Sequence, residues 1–251
     1  MSAVVESYAS AINEGTSATQ IVVDAPTGIV AGNLLVASFR HRGASTVPPS
    51  GWTEQSFIDD PNDNKHSLMT KVADSSDETA TDYTFAKSGG GNGLLAVGVA
   101  RVSGQDDTAP LNVIEALPEA SQPETSNQST APDATTTVDD CLVLRLWGGS
   151  PSGSGSDRFL VAPVGVTETW RLISTNVNRN ILTGGYEVQV SAGSVGTSTA
   201  IAGDSGTYRP NAFTVGIASA GEADFDPANL AATVDGDTVS LSWDASPLVT
   251  A

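Results

Sequence analysis

The sequence predicts an all-β protein, a β-sandwich built from two similar halves and followed by a short β-hairpin-like extension. Three observations predict this class. Short runs of β-branched and other apolar residues are separated by turn-forming residues along the whole chain. The 25 glycines and 13 prolines interrupt the chain too often for long helices. The order of apolar runs and turns in the first half returns in the second half.

In the first half, each predicted strand is bounded by turn formers. The run from Leu34 to Phe39 is apolar at nearly every residue, which predicts a strand buried on both faces. A Pro-Pro-Ser-Gly turn then presents Trp52, which we expect to fill the core beside that strand. Small residues alternate in 94–102, which predicts a central strand packed closely by another surface. The predicted strands are Thr19–Asp24 as the first, Leu34–Phe39, His66–Ala73, Asp82–Ala86 and Leu94–Val102; Thr53–Ile58 alternates loosely and leads into an exposed loop.

The second half repeats this order at a nearly constant spacing. The matched residues are Leu34 with Leu142 (108 residues apart), Gly51 with Gly165 (114), Thr70–Ala73 with Tyr186–Gln189 (116) and Leu95–Ala100 with Phe213–Ala218 (118). The spacing changes between runs, as loop insertions would make it do. Chance similarity between two β-rich segments of biased composition is the alternative. If the repeat is real, Val166 replaces Trp52, and we expect Trp170 to fill the corresponding gap.

The chain divides into a sandwich over residues 1–221 and a tail over 222–251. The halves of the sandwich cover about 1–104 and 138–221. Between them, 105–137 is rich in Pro, Thr and Asp, which predicts a crossing connection and not part of a core. In the tail, a linker precedes two alternating runs around Asp235-Gly236-Asp237, a strong hairpin signal.

Two resemblances add to these patterns. The tail resembles the first two strands of a fibronectin type III domain, through Asn229-Leu230, Val234 and Leu241-Ser242-Trp243. The first 221 residues resemble a jelly-roll-like β-sandwich family of tailed-phage and prophage structural proteins. The residues that carry this second resemblance are 32–37, 49–53, 69–73, 84–85, 95–102 and, most tellingly, Gly104-Gln105-Asp106-Asp107-Thr108-Ala109-Pro110-Leu111. The family also occurs in some bacterial surface proteins, so the resemblance implies a structural role in a virion or at a surface, and no catalytic residues.

Charge and composition exclude several classes of partner. The formal net charge is −18 and the pI is about 4.1, so phosphate backbones and anionic membranes are repelled. The acidity serves solubility or reflects a saline setting. The N-terminal residues show no signal peptide, and no apolar run reaches membrane-spanning length, so we expect synthesis in a host cytoplasm.

The residue types that carry catalysis in enzymes occur here in sequence contexts that favour a structural role over a catalytic one. His41 lies between Arg40 and Arg42, which indicates a solvated cationic patch, and His66 follows an Asp-rich loop. Cys141 lies within an apolar run and is expected to be a buried small hydrophobe. Paired carboxylates are too common here to identify a glycosidase. Each tryptophan (Trp52, Trp147, Trp170, Trp243) fits a core position better than a sugar platform. We therefore expect no enzyme activity, no catalytic residue and no cofactor.

One loop is a weak candidate for calcium. Asp59, Asp60 and Asp63 could offer oxygen ligands, but the loop lacks the spacing and the distal Glu of an EF-hand.

The function expected from the sequence is that of a virion structural protein of a tailed virus, a capsid decoration or cement protein or a head-fibre protein. The expected partners are other virion proteins, either the major capsid protein or tail proteins, and further copies of the chain. The alternative is a minor tail or adhesive module that binds carbohydrate on host surface glycans.

Overall fold

The computed structural model describes residues 1–13, 15, 18–59, 65–89, 94–118, 127–152, 159–173, 181–202, 207–221, 230–235 and 238–243. Within these ranges the regular structure consists of β-strands and one short 3₁₀ turn at Asp77–Thr79, so the all-β prediction is confirmed. The strands of the first half are β1 (Val4–Asn13), β2 (Gln20–Asp24), β3 (Leu34–His41), β4 (Ser45–Val47), β5 (Thr53–Asp59), β6 (Lys65–Val72), β7 (Asp82–Ser88) and β8 (Leu95–Ser103). Those that follow are β9 (Leu111–Leu117), β10 (Gln128–Ala131), β11 (Thr135–Thr136), β12 (Cys141–Ser152), β13 (Leu160–Val161), β14 (Thr167–Leu172), β15 (Ile181–Gln189), β16 (Gly193–Ser194), β17 (Ser198–Ala202), β18 (Thr207–Ile217), β19 (Leu230–Asp235) and β20 (Thr238–Trp243).

The two halves share one strand order. In the first half, a five-stranded antiparallel sheet has the order β1-β8-β3-β6-β5 and a three-stranded sheet has the order β2-β7-β4. In the second half, the five-stranded sheet read from its far edge is β9-β18-β12-β15-β14, and the three-stranded sheet is β10-β17-β13. Apart from the short β11–β16 pair, the second half therefore repeats the strand orders of the first, and the prediction of two similar halves is confirmed.

The repeat extends to the register of the strands. In the first half Leu34 lies beside Val72 and Val102; in the second half Leu142 lies beside Val188 and Ile217. In each half, the strand pairings at the two edges of the five-stranded sheet also contain a β-bulge, and the bulges of one half lie at the positions equivalent to those of the other. The bulged residues are Glu6 and Asn112 in β1 and β9, and Gln55 and Thr169 in β5 and β14. Bulges fix register, so their recurrence shows that the halves are equivalent in detail and not only in order.

The four sheets form layers with three apolar cores between them. One core lies between the sheets of the first half and includes Phe39, Trp52 and Phe85. Another lies between the sheets of the second half and includes Trp147 and Leu160. The largest, which we call the central core, joins the two five-stranded sheets of opposite halves; its members include Leu34, Val36, Leu68, Leu142, Leu144, Trp170, Phe213 and Val215. Strand β3 is buried along its whole length because it faces a core on each side, which explains its continuous apolar run.

The halves are related by an approximate two-fold axis. Strand β1 lies against β14, and β5 lies against β9. Since β1 corresponds to β9 and β5 corresponds to β14, exchanging the halves reproduces these contacts. The central core is thus the interface of an isologous dimer contained in one chain.

The prediction that residues 105–137 form a crossing connection outside any core is wrong. Strand β9 pairs with β18 at the edge of a five-stranded sheet, and β10 pairs with β17. The segment supplies the counterparts of β1 and β2, so it is largely part of the second half. The strand signal was weak because β9 is only partly buried and β10 is short and polar.

The first strand was also misplaced. Val4–Asn13, and not the segment that begins at Thr19, is the first strand, and it pairs with β8 over its whole length. Exposed positions of this strand include Val4 and Tyr8, while the small residues Ala9 and Ala11 pack on a core, so period-two alternation of hydrophobicity is faint. Backbone pairing to a buried neighbour places it in the sheet.

The predicted match of Leu95–Ala100 with Phe213–Ala218 is three residues out. The register aligns 95–100 with 210–215 instead, because Val102 and Ile217 occupy equivalent positions. A shift of three residues would exchange the two faces of the strand. The matches of Leu34 with Leu142, Gly51 with Gly165 and Thr70 with Tyr186 agree with the register.

Trp170 does not fill the gap left by the replacement of Trp52. It corresponds to Ser56 and lies in the central core, on the opposite face of the sheet from Trp52. Val166, the counterpart of Trp52, packs beside the core of the second half, where Trp147 is the large aromatic. Trp147 corresponds to Phe39 and so occupies a position that was aromatic in the first half as well.

The C-terminal extension is a hairpin, as predicted. Strand β19 pairs with β20, with Leu230 opposite Trp243 and Asp235 opposite Thr238. The predicted linker covers 220–227, of which 222–227 lie outside the described residues, as do 228–229 and the end of the chain over 244–251. The resemblance to a fibronectin type III domain stays a prediction.

A turn residue before β12 offers a stability test of the repeat. Among the described residues, Asp140 is the one non-glycine with a positive φ, at 52°, and its counterpart Gly32 has a φ of 91°. A side chain in the left-handed region is strained, so Asp140→Gly is expected to raise the free energy of unfolding by about 1 kcal/mol. Urea unfolding would measure the change. Asp107→Gly, at an exposed position without a positive φ, is the control and should lower stability by a few tenths of a kcal/mol. Equal losses in both variants would contradict the prediction.

Candidate functional site

A hydrogen-bonded chain of three polar side chains crosses the central core. The Ser38 hydroxyl lies 2.7 Å from Nε2 of His66, and Nδ1 of His66 lies 2.9 Å from Oδ1 of Asn211. Ser38 is on β3, His66 is on β6, and Asn211 is on β18 of the other half. The order of nucleophile, imidazole and orienting side chain is one that nucleophilic enzymes use, with Asp or Glu as the third residue beside a serine and Asn beside a cysteine.

This chain is sealed from solvent. All three residues are fully buried, and the ring of Phe213 packs edge-on against His66 at 4.7 Å between centroids. Burial, with a smaller contribution from the nearby Arg40 guanidinium, lowers the pKa of His66 to about 3 against the opposing effect of the hydrogen bond to Asn211. The imidazole is therefore neutral at ordinary pH. A substrate cannot reach Ser38, so the arrangement joins the halves and leaves no room for acyl transfer.

Sequence reasoning missed this cluster. Asn211 lies 145 positions from His66 in the sequence and 173 (211 − 38) from Ser38, and the three residues come from both halves. The available signal was that Ser38 and Asn211 interrupt apolar runs, because a polar residue in a buried strand needs a partner.

The prediction of a solvated cationic patch around His41 is wrong. Arg40 and His41 are fully buried. Arg40 donates to the carbonyl of Gly149, to the Ser150 hydroxyl (3.1 Å) and to the carbonyl of Arg209 (3.3 Å), which are all in the second half. His41 shares a hydrogen bond of 2.9 Å with Thr46 and stacks on Phe39. The alternation of β3 turns Arg40 toward the central core, so its charge serves the contact between halves.

Both histidines make stability fall in acid. The pKa of His41 is lowered to about 3, like that of His66, mainly by burial and in part by the charges of Lys87, Lys65 and Arg40. An unfolded histidine binds a proton below about pH 6.5, whereas these two stay neutral until about pH 3. Each therefore lowers the free energy of unfolding by about 1.4 kcal/mol per pH unit as pH falls through that window.

The measurement is urea unfolding at pH 5.5 and 4.5 for the wild type and for His66→Gln. The variant keeps hydrogen-bonding groups at this position but does not titrate. Its free energy of unfolding should fall less steeply than that of the wild type, by about 1.4 kcal/mol per pH unit. Parallel slopes would show that His66 does not contribute.

Cys141 is buried, as predicted. Its thiol is 3.4 Å from the carbonyl of Val138, and burial raises the pKa of the thiol. A raised pKa keeps the sulfur protonated and weakly nucleophilic. The structure thus favours the packing role expected from the sequence.

The core positions predicted for Trp52, Trp147 and Trp170 are confirmed, with exposed fractions of 7%, 0% and 4%. Trp52 packs edge-on against Tyr83 and Phe85. The indole N–H of Trp147 donates to the carbonyl of Ser198 at 3.0 Å. The side chain of Trp243 lies outside what the structure describes.

The calcium candidate is only partly described. Asp59 is exposed and forms an ion pair with Lys65, whereas Asp60 and Asp63 lie outside the described residues. In the described part of the chain there is no group of three or more His, Cys, Asp or Glu side chains that could hold a metal ion. The prediction for this loop therefore stays a prediction.

An open cleft of about 320 Å³ lies at one edge of the central core. Its walls come from β3, β5 and β6 of the first half and from the start of β9. Leu34, Pro110 and Leu111 form an apolar wall, while Thr53, Gln55 and Thr70 are polar. The Gln55 amide donates to the Thr70 hydroxyl at 2.7 Å.

The fold and these sites define a class of protein: an all-β protein of two equivalent units that share a central core. Over the described residues, no helix is long and apolar enough to cross a membrane. A scan against models of known families, a search of curated proteins and a search of solved structures each found no match.

Proposed function

We propose that this protein is a structural component of a tailed-virus particle, a capsid decoration or cement protein or a head-fibre protein. The observation that carries the proposal is the motif Gly104 to Leu111, on which the resemblance to phage structural proteins mainly depends. The motif forms a defined corner at the junction of the halves.

Several contacts hold this corner. Gly104 has a φ of 70°, and a side chain there would collide with the carbonyl of Ser2. The Asp106 carboxylate accepts hydrogen bonds from the Thr108 amide and hydroxyl and from the Ala109 amide, at 2.7 to 2.8 Å. Gln105 donates to the carbonyl of Gly32 at 2.6 Å and forms a β-bridge with Ser219. The motif residues therefore have geometric reasons to recur in proteins that share this junction.

The strand orders support the jelly-roll part of the resemblance. A jelly roll has eight strands in two sheets, with orders 1-8-3-6 and 2-7-4-5. Each half here has the orders 1-8-3-6 and 2-7-4, counted within the half with the short pair β11–β16 left out, and its fifth strand joins the first sheet beside the sixth. We infer that each half is a jelly roll whose fifth strand has changed sheets.

A passive role also suits the distribution of reactive groups. Ser38, His66 and Asn211 are used to join the halves, and the three described tryptophans are in cores where they cannot stack on sugars. Two sandwiches joined by a third core make a rigid block, which other virion proteins or further copies can hold through its loops and edges.

The test is to purify particles of the virus that encodes the chain on a density gradient and image them by electron microscopy. The chain should migrate with the major capsid protein and occupy repeated density on the head or tail. A free monomer that is absent from purified particles would overturn the proposal. Binding to a glycan array by that free protein would favour the adhesive alternative.

A further inference from the structure

The cleft beside Thr70 has a filled counterpart on the other edge of the central core. Thr70 lies between Val36 and Thr53 in its sheet, and Tyr186 lies between Leu144 and Thr167 at the equivalent position. Tyr186 packs against the central core. Equivalent positions of the two halves therefore carry different side chains, the tyrosine ring of Tyr186 in the second half and the short side chain of Thr70 in the first.

The cleft is the space left by this exchange. Its floor and walls include Leu34, Thr53, Thr70 and Leu111. The counterparts of these residues around the filled position are Leu142, Thr167, Tyr186 and Val5. Apolar residues thus correspond to apolar residues, and a threonine to a threonine. Three residues around the tyrosine ring of one half are therefore matched in kind in the other half, where the Thr70 hydroxyl instead accepts a hydrogen bond from Gln55.

The lining suits a ring with one polar group. Leu34, Pro110 and Leu111 can cover an aromatic face, and the Thr53 hydroxyl and Gln55 amide can pair with a hydroxyl. A volume of about 320 Å³ is at the low end of ligand sites, and one ring with its substituent fits within it.

We propose that this cleft binds a single phenolic ring of the tyrosine class. The ring occupies beside Thr70 the place that Tyr186 occupies in the other half. The site is independent of the proposed role in a virion, because it rests on the comparison of the two halves alone.

The probe is p-cresol, the tyrosine side chain as a free molecule, titrated into the full-length protein and followed by amide chemical shifts. Shifts should move at Leu34, Thr70 and Leu111, with a Kd of about 1 mM for so small a ligand. Thr70→Tyr places the chain's own ring in the cleft and should abolish these shifts. Thr84→Tyr adds the same ring at an exposed position of β7 and should leave binding unchanged.

Two results would overturn the proposal: no shift at the cleft residues at about ten times the expected Kd, or an undiminished response in Thr70→Tyr. The map of shifts in the wild type decides the matter even if Thr70→Tyr does not fold. A capped Ala-Tyr-Ala peptide separates the two sources of the ring. Tighter binding of the peptide than of p-cresol assigns the cleft to a tyrosine on a partner polypeptide, whereas preference for p-cresol assigns it to a free phenol.

Discussion

Replacing Gly98 with alanine is expected to lower the free energy of unfolding by about 3 kcal/mol, because overpacked cores shift or strain. Gly98 is on β8, and a Cβ atom built there overlaps the indole ring of Trp170 from the other half. The ring cannot move aside easily, since Trp170 is 4% exposed and Gly184 lies equally close to it. Urea unfolding at neutral pH would measure the loss.

Two further variants separate collision from other effects. Gly221→Ala is the control, because nothing lies within 4 Å of a Cβ at that exposed position, and its effect should stay within about 0.5 kcal/mol. Combining Gly98→Ala with Trp170→Leu should cost at least 1 kcal/mol less than the sum of the single changes, since the new methyl occupies vacated space. Strict additivity would refute the collision.

The contact shows how the two halves became unequal. The counterparts of Trp170, Gly98 and Gly184 are Ser56, Phe213 and Leu68. One side of the central core has a large residue on the edge strand and glycines on its neighbours, and the other side reverses the sizes. We infer that side-chain volumes changed in opposite directions at equivalent positions of the two halves, so that the central core stayed filled.

Arg145→Ala is expected to cost about 4 kcal/mol, because breaking a buried charge network leaves its partners unpaired. Arg145 is 1% exposed and lies on β12 at the position that Ala37 occupies in the first half. Its guanidinium bonds the Glu187 carboxylate at 2.7 Å and the Thr214 hydroxyl at 3.0 Å. It also donates to the carbonyls of Pro132 and Val195 at 3.1 and 2.9 Å.

Arg171→Ala is the matched control. Arg171 also pairs with a glutamate, Glu168, at 2.7 Å, but its side chain is 32% exposed. Exposed pairs contribute little, so this change should cost about 0.5 kcal/mol or less. Denaturant titrations of both variants give the comparison, and similar losses would show that Arg145 is not an anchor of the second half.

Much of the fold could be predicted from local pattern. The runs at Leu34 to Phe39 and Leu142 to Trp147 are apolar on both faces, and such runs belong to strands covered on two sides. The edge strands β1 and β9 could not be recognised, because neither alternates cleanly between buried apolar and exposed polar residues and their places depend on backbone pairing. The candidate sites were harder still. Ser38, His66 and Asn211 meet through strand pairing and through packing of the two halves, and neither has a signature in local sequence.

By itself the sequence determined the all-β class, the internal repeat and the central buried strands, because alternation, turn residues and apolar runs act over a few neighbouring residues. Only the tertiary structure decided which face of its strand each residue occupies and which residues it contacts there. An alignment error of three residues at β18 exchanged its faces, and the burial of Arg40 and His41 depends on groups more than a hundred residues away or on another strand. The cleft beside Thr70 was likewise visible only once the two halves could be superimposed in register.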